Sequence, residues 1–440
     1  MTSVPAPTWK NFLHYVIPSV SAMIIFSSYT IIDGIFVSKG VSDLAMAAVN
    51  LSLPFINILS GVAILLSMGA STLCAFALGK GDHKEAERIF TQTAVIIFIV
   101  SAVITVVVAL FADELAYLLG ARDLTIGYAS KYLHVVCLFS VCFIFSYFME
   151  VMVKTDGQPQ LAVGGMAVSF VVHIGLDYIF IFHMGLEVLG SALATGLAQL
   201  GSMLFFLSYF LSKRANLHFK KFQWNLRDLP KMLPLGIADC SIEFMLGFLT
   251  LLYNHVILAT MGEEYLPIFA VIAYISILVY MVFQGIAQGM MPLVSLAVGH
   301  NEPDSVRRFL RQCILSVLVA AAVIEAVCQL APGALVSLLL EGENTLFLPA
   351  VSALRQYALS YLPAGLVMAL AGYFAAVGRG GASALLSLGR GFVLLPAVLL
   401  VFCAVGVNIW MAALIGEGLA LFLGLGLFRR ASRMPLVSVS

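Results

Sequence analysis

The sequence predicts an all-α integral membrane protein with twelve transmembrane helices, arranged as two parallel six-helix repeats. Of the 440 residues, 61% are hydrophobic and only 10% are charged, whereas a soluble domain carries about 25% charged residues. The apolar residues form stretches that can each cross a bilayer, which takes about 20 residues per helix. The two halves of the chain also share short sequence segments at matching places.

Twelve apolar stretches follow one another along the chain, and each predicts one membrane-spanning helix. The second and the eighth are long enough to tilt or to extend beyond the bilayer. The predicted spans are 13–37, 46–78, 90–119, 128–153, 160–182, 188–211, 235–259, 267–298, 312–340, 354–378, 384–404 and 408–428.

The basic residues predict which side of the membrane each loop faces. With both termini in the cytoplasm, nineteen of the 23 lysines and arginines fall on the cytoplasmic side, and Arg390 is one of them. Only Lys39, Arg122, Lys131 and Arg355 fall outside. An odd number of helices would scramble this positive-inside pattern. We therefore expect a multi-pass protein of the cell (plasma or inner) membrane with both termini cytoplasmic.

The longest polar segment, at 212–232, divides the helices six and six. It predicts a cytoplasmic linker between an N-terminal lobe at 1–211 and a C-terminal lobe at 233–440. Residues 69–88 align without gaps onto residues 289–308. Because six helices return the chain to its starting side, the halves would have the same orientation, as parallel repeats do in many transporters.

Seven carboxylates lie inside the apolar stretches, and no basic residue is expected beside them. Placing a charged side chain at the centre of a bilayer costs roughly 2.5–3.5 kcal/mol even on lenient scales, so such acids usually face internal cavities and mark ion or substrate pathways. An acidic interior without cationic partners favours protons, sodium ions or organic cations. The seven are Asp33, Glu150, Asp177, Asp239, Glu243, Glu325 and Glu417.

Two pairs of candidate residues are four positions apart and therefore share a helix face. His173 with Asp177 predicts a proton relay, and the alternative is a simple hydrogen bond between helices. Asp239 with Glu243 predicts a repelling pair of acids, one of which would hold a proton at neutral pH. Asp239 could instead lie near the membrane interface and be solvated.

The remaining candidates carry weaker signals. Glu150 could line a cavity, or it could form a structural ion pair with Lys154 four residues later. Glu417 lies between two glycines and is a candidate for the wall of a cavity in the C-terminal lobe, whereas Glu325 has no motif around it and is expected to have a structural or cavity-edge role. Further candidates for polar cavity residues are Tyr147, Asn50, Gln284 and Gln288.

Several function classes are disfavoured by what the sequence lacks. The formal net charge is zero, which gives no indication of nucleic-acid binding. The phosphate-binding pattern GxxxxGK[ST] and the metalloprotease pattern HExxH do not occur, which argues against ATP-driven transport by this chain and against a membrane enzyme. We expect no cofactor and no resident metal, a small-molecule substrate, a lipid bilayer as the surroundings, and a monomer.

Four motifs, in this order along the chain, resemble those of the multidrug and toxic compound extrusion (MATE) family, and the resemblance covers nearly the whole sequence. They are Pro18 followed by Tyr29-Thr-Ile-Ile-Asp33-Gly-Ile-Phe-Val, Gly157-Gln-Pro159 after Asp156, Leu176-Asp177-Tyr-Ile-Phe-Ile-Phe followed by Gly190-Ser-Ala-Leu-Ala-Thr195, and the glycine-acid-basic loop shared by 69–88 and 289–308.

The resemblance implies an efflux antiporter whose two six-helix lobes form a V that opens alternately to each side. Protons or sodium ions would flow in, and amphipathic, often cationic compounds would flow out. The family pattern implies an ion site at Asp33, Asp177 and Thr195, although Thr195 could bond only the carbonyl four residues before it. The family has an asparagine where this chain has His173, and imidazole is a poorer ligand for a hard cation such as sodium. We therefore expect proton coupling, with sodium at Asp33, Asp177 and Thr195 as the open alternative.

The alternative function is a flippase for a lipid-linked or other amphipathic metabolite, because related transporters share the repeat plan. A flippase that handles pyrophosphate lipids would need basic residues in its cavity. The apolar stretches are expected to place none there, which counts against this reading.

Overall fold

The computed structural model describes residues 4–122, 125–221, 224–338, 340 and 345–432, and within these ranges every regular element is helical. The chain divides into two compact units. The first contains Ser21–Leu233, and the second contains Val4–Val20 together with Pro234–Ser440. The opening turns of the first helix therefore pack with the second unit.

Eight helices precede the polar linker. A π-helical segment, Tyr178–His183, continues the seventh of them, and a short 3-10 turn, Leu226–Asp228, ends the linker. The eight are α1 (Trp9–Gly40), α2 (Asp43–Gly79), α3 (His83–Leu110), α4 (Ala112–Leu118), α5 (Ile126–Leu138), α6 (Ser140–Thr155), α7 (Pro159–Asp177) and α8 (Glu187–Phe210).

Nine helices follow the linker. A second π-helical segment, Gly389–Leu394, joins two of them into one long helix. The nine are α9 (Leu229–Thr260), α10 (Leu266–Gly299), α11 (Pro303–Leu330), α12 (Pro332–Val336), α13 (Phe347–Ala358), α14 (Tyr361–Ala376), α15 (Gly380–Leu388), α16 (Leu395–Val405) and α17 (Ala412–Ser432).

Ten helical stretches in the described part of the chain are long and apolar enough to cross a membrane. The number becomes 11 if α5 and α6, which meet at an angle of 54°, form one bent span. Each of the twelve predicted spans overlaps a helix, and α1 is a helix of 32 residues. The number twelve and the repeat arrangement of the helices therefore stay predictions.

Four of the predicted spans contain helix breaks that the sequence analysis did not foresee, because hydropathy marks apolar residues and not helix ends. The fourth and tenth spans are broken between α5 and α6 and between α13 and α14. The third and ninth spans end early and continue as the short helices α4 and α12. Pro332 begins α12, in keeping with the inability of proline to continue a helix. The last residues of the ninth predicted span include position 339, which lies outside the described residues.

The linker is bound to the first unit over much of its length. Asp156, just after α6, accepts hydrogen bonds from the hydroxyl of Tyr209 and from the backbone N–H groups of Asn216 and Leu217. Burial raises the pKa of Asp156, although these three donors stabilise its charged form. Farther along, Nη2 of Arg88 lies 2.7 Å from the carboxylate of Asp228. Residues 222 and 223 of the linker lie outside the described residues.

In the second unit, α10 touches the start of α1 at backbone distance. A Cβ atom built at Gly285 would lie 2.6 Å from Cα of Val20, and one at Gly289 would lie 2.7 Å from Cα of Val16. Two glycines four residues apart let helix backbones approach closely inside a membrane. This contact fixes the rotation of α10 about its own axis. It thereby also fixes the directions of the side chains that neighbour the two glycines.

The close contact predicts that Gly289→Val destabilises the protein. The added side chain would meet the backbone of α1, and overpacking of this kind typically costs about 1–3 kcal/mol. The midpoint of thermal unfolding of the detergent-solubilised protein should therefore fall. Gly247→Val is the matched control, because no atom lies within 4 Å of a Cβ built there. An equal fall in both variants would contradict the proposed contact.

Candidate functional site

A buried polar cluster lies in the first unit, where α1, α7 and α8 contribute side chains to one place. Asp33 comes from α1, His173 and Asp177 come from α7, and Thr195 comes from α8. All four are at most 7% exposed. The structure therefore brings together the four residues that the sequence singles out for ion coupling, and their role stays a prediction.

His173 is the centre of the cluster. Its Nδ1 atom lies 3.3 Å from a carboxylate oxygen of Asp177, one turn away on α7. Its Nε2 atom lies 3.1 Å from the hydroxyl oxygen of Thr195 and 3.8 Å from a carboxylate oxygen of Asp33. A neutral imidazole donates through one ring nitrogen and accepts through the other, whereas a charged one donates through both. A proton gained or lost here therefore changes the contacts to three neighbours.

Sequence reasoning missed one residue of the cluster. The hydroxyl of Ser191, on α8, donates a hydrogen bond of 2.7 Å to Asp33. Ser191 lies four residues before Thr195, so both face the same side of α8. That spacing was the available signal, but serine and threonine in helices often bond only their own backbone.

The helix that carries two of these residues changes its geometry at the cluster. The regular α-helical turns of α7 end at Asp177, and the next six residues are π-helical. Short π-helical segments inside α-helices frequently occur at functional sites. Asp177 is the last α-helical residue before the π-helical segment.

The cluster has the ligand atoms for a proton or a small cation. Asp33, His173 and Asp177 each offer one ligand atom, and these three atoms all lie within 4.8 Å of one another. Sodium sites are built from oxygen ligands, whereas an imidazole nitrogen suits protons and transition metals better. The donor set therefore fits a proton better than a sodium ion.

Glu150 forms the ion pair with Lys154 that was one of its two expected arrangements, the other being a place in a cavity wall. A carboxylate oxygen lies 2.8 Å from Nζ of Lys154, and both side chains are buried. The expectation that the buried acids lack basic neighbours is therefore wrong here. The other candidates of this unit are more open, because Tyr147 is half-buried and Asn50 is exposed.

In the second unit the same expectation is wrong for Glu417. Arg390 donates three hydrogen bonds of 2.7 to 3.0 Å to its carboxylate. Arg390, which the sequence analysis counts on the cytoplasmic side, is 3% exposed and lies in the π-helical segment within the eleventh predicted span, so it is a buried helix residue and not a loop residue. Counting charges cannot reveal a partner 27 residues away on another helix. The interior therefore does contain basic residues, and their expected absence no longer counts against a flippase.

Arg390 also lines a small cleft within the second unit. Asp239 of α9 and Gln284 of α10 line the same cleft, with Met245 and Met368 among its apolar walls. Asp239 is buried, so the alternative that it is solvated at the interface is wrong. In the part of the chain that the structure describes, Oε1 of Gln284 has no hydrogen-bond partner.

The other candidates of the second unit do not line this cleft. Gln288 is buried one turn after Gln284, and Glu243 is half-buried one turn after Asp239. Glu325 is half-buried and accepts a hydrogen bond of 2.7 Å from Gln329. The role of Glu325, structural or at a cavity edge, stays a prediction.

Known proteins resemble this chain over most of its length. The family model described as MatE matches residues 18–179 and 240–414. The Multidrug export protein MepA of Staphylococcus aureus (strain MRSA252) is 26% identical over 422 residues, which cover 94% of this chain and 92% of MepA. The protein of the same name from Staphylococcus haemolyticus (strain JCSC1435) is 24% identical over 424 residues, covering 95% of this chain and 92% of that protein.

Solved structures show the fold. A crystal structure of MATE in complex with MaL6 superposes with a TM-score of 0.91 at 22% identity, covering 98% of this chain and 97% of that one. The outward-facing conformation of a multidrug resistance MATE family transporter of the MOP superfamily gives a TM-score of 0.89 at 22% identity, with coverage of 98% and 97%.

The ion pair between Glu150 and Lys154 predicts that substitutions of the two residues have strongly non-additive effects on stability. Glu150→Gln leaves a buried ammonium group without its partner, which should destabilise the protein by about 3–5 kcal/mol. Adding Lys154→Met to that variant should restore most of the loss, as measured by the thermal unfolding midpoint. If the single variant is as stable as the wild type, Glu150 is not held by this pair.

Because His173 offers the cluster a nitrogen ligand, His173→Asn is expected to change which cation stabilises the protein. An asparagine supplies a carbonyl oxygen, so sodium should stabilise the variant and should not stabilise the wild type specifically. A ligand at ten times its dissociation constant stabilises a protein by about 1.4 kcal/mol, which a thermal unfolding assay detects. Potassium chloride at the same ionic strength is the control. A sodium-specific shift in the wild type would contradict the preference for protons.

Proposed function

The chain belongs to the MatE family, the multidrug and toxic compound extrusion transporters, and from that premise we propose that it is an antiporter driven by protons. It exports amphipathic, mainly cationic organic compounds by alternating access. Sodium is the alternative coupling ion. MepA, a relative over nearly the whole chain, is named a multidrug export protein, which supports the substrate class.

The observation that carries the proposal is the imidazole held between two buried carboxylates. Asp33 and Asp177 both lie within 4 Å of a ring nitrogen of His173. Two carboxylates away from water repel each other, and a bound proton relieves that repulsion. A proton entering from outside is therefore bound where three helices contribute side chains.

The proton can drive transport only if the two orientations of the cavity bind it with different affinity. Protonation removes one of the negative charges and changes which ring nitrogen of His173 donates. The contacts from α7 to α1 and α8 then differ between the two protonation states. In this proposal, the difference shifts the equilibrium between the inward-open and outward-open forms and favours release of a cationic substrate.

A flippase for a lipid-linked metabolite is the weaker proposal. Lys154 and Arg390 are buried basic residues, but each is paired with a carboxylate at 2.8 Å or less. The two pairs therefore add no net positive charge that would hold a pyrophosphate group. The two MepA relatives are named multidrug export proteins, which also favours drug export over a flippase.

The proposal includes the arrangement expected from the sequence. We infer two six-helix lobes at 1–211 and 233–440, joined by the linker at 212–232. The transporter would act as a monomer in the cell membrane, with both termini in the cytoplasm.

Asp33→Asn and Asp177→Asn should each reduce export driven by a pH gradient to the level of protein-free liposomes, because neither amide can carry the coupling proton. Dye efflux from proteoliposomes, with pH or sodium gradients imposed one at a time, measures this. Glu325→Gln is the matched control, since that half-buried acid lies outside the cluster and should leave export unchanged. Size-exclusion elution at the wild-type volume confirms folding. Wild-type export by both asparagine variants would refute the coupling site.

A further inference from the structure

A groove lies in the first unit between α5 and the first turn of α8, and its volume is about 380 Å³. Sites for small molecules typically have volumes of about 300–1,000 Å³. None of the four residues proposed for ion coupling lines this groove. The sequence places Lys131, which does line it, outside the membrane, so the groove is expected where the two helices leave the bilayer.

The groove holds one side chain of each charge. Lys131 of α5 and Glu187 of α8 both line it, and both are exposed. In the part of the chain that the structure describes, neither of them forms an ion pair. Opposite charges that share a groove without pairing are complementary to a ligand that carries both signs.

The backbone at Glu187 also points to a ligand site. Its φ angle is 51°, a left-handed conformation that few residues other than glycine adopt. Residues held in such sparsely populated conformations cluster at active sites and at places that grip ligands. Glu187 is the first residue of α8, so this conformation sets the direction in which its carboxylate leaves the helix.

His134 adds a second hydrogen-bond acceptor to the carboxylate of Glu187. Its Nδ1 atom lies 3.1 Å from the backbone carbonyl oxygen of Ser130. A carbonyl oxygen can only accept, so Nδ1 carries the hydrogen atom, and Nε2 of the neutral ring is left as an acceptor. A primary ammonium group can donate to such acceptors, whereas a quaternary ammonium group has no N–H bond to donate.

The donors of the groove suit a phosphate group. Tyr128 and Lys131 are three residues apart and therefore share one face of α5. The hydroxyl of Tyr128 and the ammonium group of Lys131 can both donate to phosphate oxygens, and lysine commonly binds phosphate as a point charge. The polar lining thus matches a phosphate and a primary ammonium group in one ligand.

The remaining lining is apolar and continues onto a surface that faces lipid. Leu186, Val188 and Leu189 line the groove beside Glu187, and Leu189 is 37% exposed. Leu138, one turn after His134 on α5, is 61% exposed. Because α8 is long and apolar enough to cross the membrane, its exposed apolar side chains are expected to contact acyl chains.

We propose that this groove binds the headgroup of a phospholipid that carries a primary ammonium group, as in phosphatidylethanolamine. Glu187 and His134 hold the ammonium group, Lys131 and Tyr128 hold the phosphate, and the acyl chains lie along the apolar surface that begins at Leu189. The site concerns a lipid partner and not the exported compound, so it goes beyond the proposed function and does not depend on it.

Three lipids with identical acyl chains test the proposal. Phosphatidylethanolamine carries both groups, phosphatidylcholine has a quaternary ammonium group, and phosphatidylglycerol has no cation. Native mass spectrometry of the purified, detergent-solubilised protein measures the dissociation constant of each. The variants are Glu187→Gln and Lys131→Gln. The matched controls are Glu263→Gln and Arg355→Gln, which remove exposed charges from the second unit.

We expect the wild type to bind phosphatidylethanolamine about fivefold or more tightly than the other two lipids, a factor typical of one exposed charge pair. Glu187→Gln should remove this preference and should not weaken the binding of phosphatidylglycerol, which has no cation for the carboxylate. Lys131→Gln should weaken the binding of both lipids, because both carry the phosphate. The two control variants should bind like the wild type. Size-exclusion elution at the wild-type volume confirms folding.

Three results would overturn the inference. The first is equal affinity of the wild type for the three lipids, and the second is wild-type affinity of both groove variants for phosphatidylethanolamine. The third is displacement of the lipid by an equal concentration of glycerophosphoethanolamine, the same headgroup without acyl chains, which would indicate a site for a soluble phosphate compound. Failure of the proposed function would leave these affinities as expected and would appear only as absent dye efflux from proteoliposomes.

Discussion

Every ionised side chain inside this protein must find its solvation within the protein, because the surrounding hydrocarbon offers none. The described residues meet this constraint in two ways. Glu150 and Glu417 are each matched to one basic partner at 2.8 Å or less. Asp33 and Asp177 instead share a histidine, and Asp33 also accepts a hydrogen bond from the hydroxyl of Ser191. Each ion pair is electrically neutral, whereas the cluster of two carboxylates and one histidine can accept one more positive charge.

The two arrangements also differ in what pH can do to them. An arginine stays protonated in proteins under all ordinary conditions, so the pair of Arg390 and Glu417 keeps its positive member whatever the pH. An imidazole, in contrast, can gain and lose a proton, and so can the two carboxylates beside it. The cluster around His173 is therefore suited to responding to a proton gradient.

Sequence reasoning succeeded where the information is local and failed where it is not. The neighbourhood of His173 and Asp177 follows from their spacing on one helix, and so does the contact of Glu150 with Lys154. The approach of Asp33 to the same cluster could be expected only from the family resemblance, since nothing local links α1 to α7. The ion pair of Arg390 with Glu417 was missed because the two residues lie on different helices. The helix breaks were missed because an apolar run reads the same with or without an interruption.

The π-helical segment Gly389–Leu394 has a consequence for how this chain can vary, because it lies between the α-helical turns of α15 and those of α16. A π-helical turn holds about one residue more than an α-helical turn, so the side chains of α16 are rotated about the helix axis relative to a regular continuation of α15. An uninterrupted heptad-like pattern therefore cannot describe this helix from end to end. Deleting one residue within 389–394 would restore a regular helix without shortening the membrane span appreciably. It would also turn α16 away from its present neighbours, so relatives that differ by a single-residue gap at this point would present a different face to the same interior.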